Sequence, residues 1–278
     1  MKIGFFITAR LKSSRLKQKI LLDLNGKSVL DRVIERAKKV VGIDGVVLCT
    51  STNPQDSVLF ENALNNKIQF FAGSEDDVLN RLLAAAKHFG YDAFVSITAD
   101  NPLFSIYTSN ILVDMYRKEQ YDFINTKGLP MGCGTYILDV KALEVVNHMK
   151  QQSDTEIWGP FINRPDFFNV ADLMVKNSPY NENIRITLDY AEDYLLIKNI
   201  YNRYKSNDIP DLSDVLHLLQ TNPELLEINK MHQQLMPSKE QLNLIDEQFN
   251  KNKEKGLIFA GTINKKIAPN YTNHKVVF

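Results

Sequence analysis

The chain is short of the residues from which redox, zinc and nucleophilic sites are usually built. Its two cysteines, Cys49 and Cys133, do not form a metal-binding spacing. Cys49 ends the apolar run Val46-Val47-Leu48, as a core thiol would, and a reducing cytoplasm is the simple compartment. The five histidines, at positions 88, 148, 217, 232 and 274, are scattered, which leaves zinc sites and histidine-based nucleophiles without support. There is a single tryptophan, Trp158, and there are no repeats or low-complexity tracts. No apolar run approaches membrane-spanning length, and residues 1–9 are too short and lack the flanks of a signal peptide. Neither charge sign is in excess: 33 Lys and Arg balance 33 Asp and Glu, which argues against general nucleic-acid binding and against a membrane-surface partner.

What is present is an alternation of strand and helix. Apolar runs at 1–7, 46–50, 68–71 and 93–97 read as strands. Helical periodicity follows near 29–37, 55–65, 78–88 and 107–118. Repeated units of this length predict an α/β fold with a mostly parallel sheet and helices on both faces. The middle is less regular, with strands expected near 121–126, 135–138, 167–175 and 184–188 and helices near 140–149 and 191–204. At 278 residues the chain fits one large domain, 1–205, and a helical C-terminal extension, 206–278, with helices near 212–219 and 239–251. Residues 256–278 show weak periodicity, so poor order is expected there.

Between the first strand and the helix capped by Ser28 lies a basic, hydroxyl-rich loop carrying Arg10, Lys12, Ser13, Ser14, Arg15, Lys17 and Lys19. At the carboxyl end of a parallel strand such a loop suits a polyphosphate, although charge alone fits a solvated loop equally well. Asp100 follows the strand Phe94-Val95-Ser96-Ile97, where a carboxylate faces the crevice and suits Mg²⁺; capping the next turn is the plainer alternative. Asp189 ends another extended run, and it reads equally as a second Mg²⁺ ligand or as the N-cap of the helix from Ala191, with Glu192 completing the box. Glu75, Asp76 and Asp77 open a helix, where its dipole favours them; Arg81 on that helix faces phosphate or pairs with Asp77.

Four segments together resemble the cytidylyltransferases of spore-coat polysaccharide biosynthesis, relatives of the synthetases of CMP-3-deoxy-manno-octulosonate and CMP-sialic acids. The opening pattern is met by Ile7, Ala9, Arg10, Ser13 or Ser14, Arg15, Leu16 and Lys19. The Gly-Ser-Glu-Asp-Asp-Val-Leu-x-Arg segment is met by Gly73 to Leu79 with Arg81. The Thr-Gly-Asp-x-Pro-Leu motif is met by Thr98 to Leu103, and Arg-x-Thr-x-Asp-x-x-x-Asp by Arg185, Thr187, Asp189 and Asp193. The resemblance implies a GT-A-like (Rossmann-like) nucleotidyltransferase in which CTP and a small acidic sugar or other polar acceptor give a CMP-linked product and pyrophosphate. By that likeness Arg10, Ser14, Arg15 and Lys19 hold the triphosphate, and Asp100 and Asp189 hold Mg²⁺. Ala9, Ser74 and Arg81 then lie near the nucleoside, with Arg15, Lys19 and Asp100 carrying catalysis.

Ala99 is a mild change from glycine in the Asp100 motif. Two further departures fall in the acceptor half: Tyr136 stands where relatives place an acid, and Glu156-Ile157-Trp158-Gly159-Pro160-Phe161 stands where many carry Glu-His before a Pro-Tyr pair. These point to an unusual acceptor and an aromatic-lined pocket, while the plainer assignment of Trp158 is to the core. Three alternatives stay open: GTP or another NTP as donor, a sugar transferase (the Asp-x-Asp motif is missing after the fourth strand), and a homologue that binds nucleotide without turnover. The expected setting is surface-glycan synthesis in the cytoplasm, and the tail suits a homodimer interface or a cover for the acceptor pocket.

Overall fold

A computed structural model describes residues 1–151, 154–176 and 184–277. Along the chain run β1 (Ile3–Thr8), α1 (Val29–Ala37), β2 (Gly45–Ser51), α2 (Leu59–Asn65), β3 (Gln69–Gly73), α3 (Val78–Phe89), β4 (Ala93–Thr98) and α4 (Ile106–Lys118). Then come β5 (Phe123–Lys127), β6 (Tyr136–Asp139), α5 (Val140–Met149), α6 (Gly159–Ile162), β7 (Asn169–Lys176), α7 (Ala191–Tyr201), α8 (Leu212–Thr221), α9 (Lys239–Thr262) and β8 (Asn270–Val277). Among the described residues the strands form one sheet in the order β3-β2-β1-β4-β6-β5-β7-β8, and only β6 runs antiparallel to its neighbours. The mostly parallel α/β architecture expected from the sequence is therefore present.

The strands alternate their side chains between two helical layers, as a pleat of period two requires. Phe5 and Ile7 of β1 face a core with Leu30, Val33 and Leu112, and Phe6 faces the opposite core with Leu79, Leu82 and Phe94. A third apolar cluster joins α7 and α8 to Leu24, Leu103 and Ile186 beyond the carboxyl ends of β1 and β4. That cluster anchors the segments carrying the acids discussed below.

Three expectations are corrected. The helix expected over 55–65 is a 3-10 turn at Pro54–Val58 followed by the short α2. Residues 184–188 are not a sheet strand: Arg185 makes one isolated parallel bridge to Met131, and Leu188 N–H donates to the Asp100 carbonyl at 2.9 Å. Hydrophobic β-branched residues gave that run a strand pattern, but its backbone partners are loops. The C-terminal extension contains α8 and α9, yet it ends in β8, which pairs with β7 at eight positions. An edge strand held by backbone bonds leaves much of its side-chain surface in water, so it carries little hydrophobic periodicity to read. Phe278 lies outside the described residues. The Lys265 ammonium ties this tail to the body, bonding Asp139 Oδ1 at 2.9 Å and pairing with buried Asp122.

Candidate active site

β1 carries the basic loop to the carboxyl edge of the sheet. Ala9 N–H extends the pairing with β2 by donating to the Cys49 carbonyl at 3.0 Å. Leu11 N–H then donates to Asp56 Oδ1 at 2.7 Å, and Ser51 donates to the other oxygen of that buried carboxylate. This anchor fixes where the loop leaves the sheet. Lys19 opens a 3-10 turn, Lys19–Leu21, that brings its ammonium back over β4.

Two acids meet that ammonium. Lys19 Nζ lies 2.5 Å from Asp100 Oδ2 and 2.8 Å from Asp189 Oδ1, and Arg15 Nη2 lies 2.7 Å from the same Asp189 oxygen. Asp100 does not cap its turn; Oδ1 accepts from the Thr98 hydroxyl at 2.5 Å and from Asn101 Nδ2 at 3.2 Å. Nor is Asp189 the N-cap of α7. Asp193 takes that work, its Oδ2 accepting the N–H groups of Asp189 and Tyr190 at 3.0 Å each. The Asp189 side chain is thereby left for Lys19, Arg15 and Arg185, whose Nη2 donates to its second oxygen at 2.6 Å.

Gly132 sets how closely these segments approach. Its φ of +92° suits glycine, and a Cβ there would stand 2.7 Å from Asn101 Oδ1 and 2.8 Å from Thr187 N. The loop before β6 is thus wedged between the turn bearing Asp100 and the run bearing Asp189.

Burial by itself would lower the Lys19 pKa, but the charges and hydrogen bonds of Asp100 and Asp189 outweigh it and hold the ammonium above its ordinary value. Burial likewise works to raise Asp189, and Lys19, Arg185 and Arg15 overcome it, keeping the carboxylate below its usual range. Arg81 goes the other way: burial, and then the neighbouring charge of Arg10, lower its pKa. The two guanidiniums converge on one carbonyl, with Arg10 Nη1 at 2.8 Å and Arg81 Nη1 at 3.2 Å from Glu75 O. Arg81 also bonds the Ser74 carbonyl at 2.6 Å, so of its two sequence readings the pair with Asp77 is not formed. Asp77 caps α3 through Asn80 N–H and pairs with Lys150 instead.

Around these groups lies a cleft of about 550 Å³. Ala9, Arg10, Ser14, Arg15 and Lys19 line one side, and Arg81, Asp100 and Asp189 complete it. Ser74 stands just behind the lining, its hydroxyl accepting from Asp77 N–H at 3.1 Å. Reading the sequence did not assign roles to Glu156, which pairs with Arg10 across the cleft, or to Arg185 behind Asp189. The Arg-x-Thr-x-Asp spacing held a signal for Arg185, and Glu156 stands at the glutamate of the relatives' Glu-His pair, although nothing local named its partner, 146 residues away. Tyr136 and Trp158 also reach the cleft, so Trp158 is not a plain core residue.

The acids fit a hard divalent cation. Two carboxylates already share one cationic group, and both offer oxygen donors beside Lys19 and Arg15. Among the described residues no group of three or more Asp, Glu, His or Cys could cage a metal. An ion here would therefore complete its shell with water and substrate phosphate, as Mg²⁺ does.

A family model described as Cytidylyltransferase matches residues 5–242. An uncharacterised protein of Methanocaldococcus jannaschii is 32% identical over 231 residues, covering 82% of this chain and 95% of its own. The spore coat polysaccharide biosynthesis protein SpsF of Bacillus subtilis is 26% identical over 234 residues, covering 80% and 95%. A cytidylyltransferase structure from Leptospira borgpetersenii superposes with a TM-score of 0.75 at 24% identity, covering 85% of this chain and 100% of its own, and so bears on the fold alone. No helix among the described residues is long and apolar enough to cross a membrane.

Proposed function

The chain belongs to the cytidylyltransferase family and is a nucleotidyltransferase, and from that premise we propose that it transfers CMP from CTP to a small acidic sugar or other polar acceptor with Mg²⁺ as cofactor. The observation that carries this reading is the convergence of Lys19 and Arg15 on Asp100 and Asp189 at the carboxyl edge of β1 and β4. Surface-glycan synthesis in the cytoplasm is the proposed setting; the likeness to SpsF and the two free, buried thiols support it.

In this reading an acceptor hydroxyl oxygen attacks the α-phosphorus and gives up its proton to solvent, a P–O bond forms, and the bond from the α-phosphorus to the bridging oxygen breaks with its electron pair leaving on pyrophosphate. Arg10, Ser14, Arg15 and Lys19 hold the triphosphate. Ala9, Ser74 and Arg81 flank the nucleoside. Asp100 and Asp189 would hold Mg²⁺, which when bound supplies charge neutralisation at the phosphates. Lys19 and Arg15 then exchange carboxylate partners for phosphate oxygens, which become more negative as the leaving group departs. The contribution of the protein is to align the reactants and supply fixed positive charge.

Calorimetry with CTP, UTP, ATP and GTP, with and without Mg²⁺, followed by pyrophosphate release over an acceptor panel, tests the assignment. We expect CTP with Mg²⁺ to bind most tightly. Asp100→Asn should lose turnover by at least about a hundredfold while melting within a few degrees of the wild type. Tighter binding of a purine nucleotide, or near-normal turnover in that variant, would remove the assignment. The tail is also proposed to take part in a homodimer, and a monomer in light scattering would end that part of the reading.

A further inference from the structure

We propose that the segment joining α8 to α9 belongs to the active site, and that Asn229 and Gln234 are positioning residues that act through Arg185 to aim Asp189 at the divalent cation. The inference rests on the Mg²⁺ reading above and adds to it a contribution from the C-terminal extension.

The chain leaves α8 through a 3-10 turn, Pro223–Ile228, whose Leu225 is held in the apolar cluster with α7. That packing delivers Asn229 behind the run bearing Asp189, where it is only 3% exposed. Its Nδ2 donates to the Arg185 carbonyl at 2.9 Å and to Asp193 Oδ1 at 2.8 Å. One amide therefore clamps Arg185 at its backbone and at its carboxylate partner. Asp193 in turn accepts Arg185 Nε and Nη2 at 3.2 Å each, and Gln234 Oε1 accepts Nη1 of the same guanidinium at 2.6 Å.

A planar guanidinium held in this way has a fixed direction. Asp193 occupies one edge and Gln234 the Nη1 end, and Nη2 also donates to Asp189 Oδ2 at 2.6 Å. Arginine otherwise favours a two-point grip on a carboxylate, which here would engage both Asp189 oxygens. The tail restrains it to one, so Oδ1 stays turned to the cleft, where Lys19 and Arg15 meet it. Oδ1 is thus the oxygen open to a divalent cation. His232, between the two positioning residues, adds to the fit. Its ring stacks on Tyr190 at 3.9 Å and its Nε2 bonds Glu192 Oε2 at 2.8 Å, while Arg15 lies over the same Tyr190 ring at 5.2 Å. The segment accordingly braces both the buried and the cleft-facing partners of Asp189.

Calorimetry of CTP on the full-length protein, with and without saturating Mg²⁺, gives the factor by which Mg²⁺ tightens CTP. That factor should fall by about tenfold in Asn229→Ala, the low end for outer-shell partners, and by about threefold in Gln234→Ala, whose position is exposed. CTP affinity without Mg²⁺ should stay within about twofold of the wild type, because Arg10, Ser14 and Lys19 do not share the clamp. Gln234→Glu keeps an acceptor on Nη1 and should restore the wild-type factor. In turnover the loss should appear as a higher Mg²⁺ requirement, with the maximal rate recovered at saturating Mg²⁺. An unchanged factor in both alanine variants overturns the inference. So does CTP affinity that falls equally with and without Mg²⁺, the mark of a role in folding alone. If Asn229→Ala does not fold, the two Gln234 variants decide. If Mg²⁺ fails to tighten CTP in the wild type, the metal reading itself falls; if it does so equally in every variant, only the positioning role is lost.

Discussion

Replacing Lys19 by methionine keeps the volume of the side chain and removes the charge that Asp100 and Asp189 share. Lys19 is only 11% exposed, so the two carboxylates would face each other with Arg15 and Arg185 as the remaining compensation of Asp189. For CTP the variant loses one charge-assisted contact to phosphate, worth about 1.5–3 kcal/mol, which is about ten- to a hundredfold in Kd. For Mg²⁺ the sign reverses. A charge pair 4 Å apart at an effective dielectric of about 20 interacts by about 4 kcal/mol. Asp100 keeps a fifth of its side chain in water, and Mg²⁺ gives up hydration reluctantly, so a gain of about 1–2 kcal/mol is the reasonable expectation. Divalent-cation affinity in the absence of nucleotide should then rise by about five- to thirtyfold while CTP affinity falls. Isothermal titration of each ligand alone, on wild type and variant, reads both numbers. A lysine that merely braces the fold would weaken the two together, and that outcome, or no change in either, would refute the account of a cation trading carboxylates for phosphate.

Further expectations follow from the same contacts. Gly132→Ala places a methyl group within 2.8 Å of the Thr187 backbone at a φ of +92°, and should cost at least about 2 kcal/mol in urea unfolding and weaken CTP binding; unchanged values for both would mean that the wedge is not needed. Lys265→Met strands Asp122, which burial already holds above the ordinary carboxylate range despite its lysine. We expect a loss of about 2–3 kcal/mol, with β8 exchanging its amide hydrogens first. Protection of β8 equal to the wild type would count against that tie. For pH, the lowered Asp189 contributes stability above the ordinary Asp value of 3.8 that is lost as pH falls through its lower folded value. The raised Lys19 contributes below 10.5 and loses that as pH rises through its higher folded value. The stability gap between wild type and Asp189→Asn should accordingly be flat between about pH 5 and 9 and shrink below about pH 4. A gap that changes across neutrality would show that other groups control this cluster.

Much of this molecule could be read before it was folded. The layered α/β architecture follows from apolar runs whose period switches between two and 3.6, because each strand and helix must bury its own stripe. The basic loop after β1 and Asp100 after β4 were legible because residues just past a sheet strand emerge at the edge of the sheet, whereas Asp189 was singled out from a run, 184–188, that forms no sheet strand. What the local pattern left open was every choice between a capping role and a site role. Asp189 reads as an N-cap until Asp193 is seen to accept its N–H, and Arg81 reads as a partner of Asp77 until Lys150 is found there.

Those choices belong to contacts between residues far apart in the chain. Lys19 and Asp189 are separated by 170 positions and Arg10 and Glu156 by 146, so no propensity or spacing near either residue encodes them. The sequence alone determined the strands and helices of the first half, apart from the 3-10 turn before α2, and which loops would carry charge. The tertiary structure decided which charges meet, where β6 inserts against the run of parallel strands, and that the tail ends as an edge strand. The physical reason is that burial periodicity is a property of neighbours along the chain, whereas pairing is fixed by the topology that brings distant segments to one edge of the sheet.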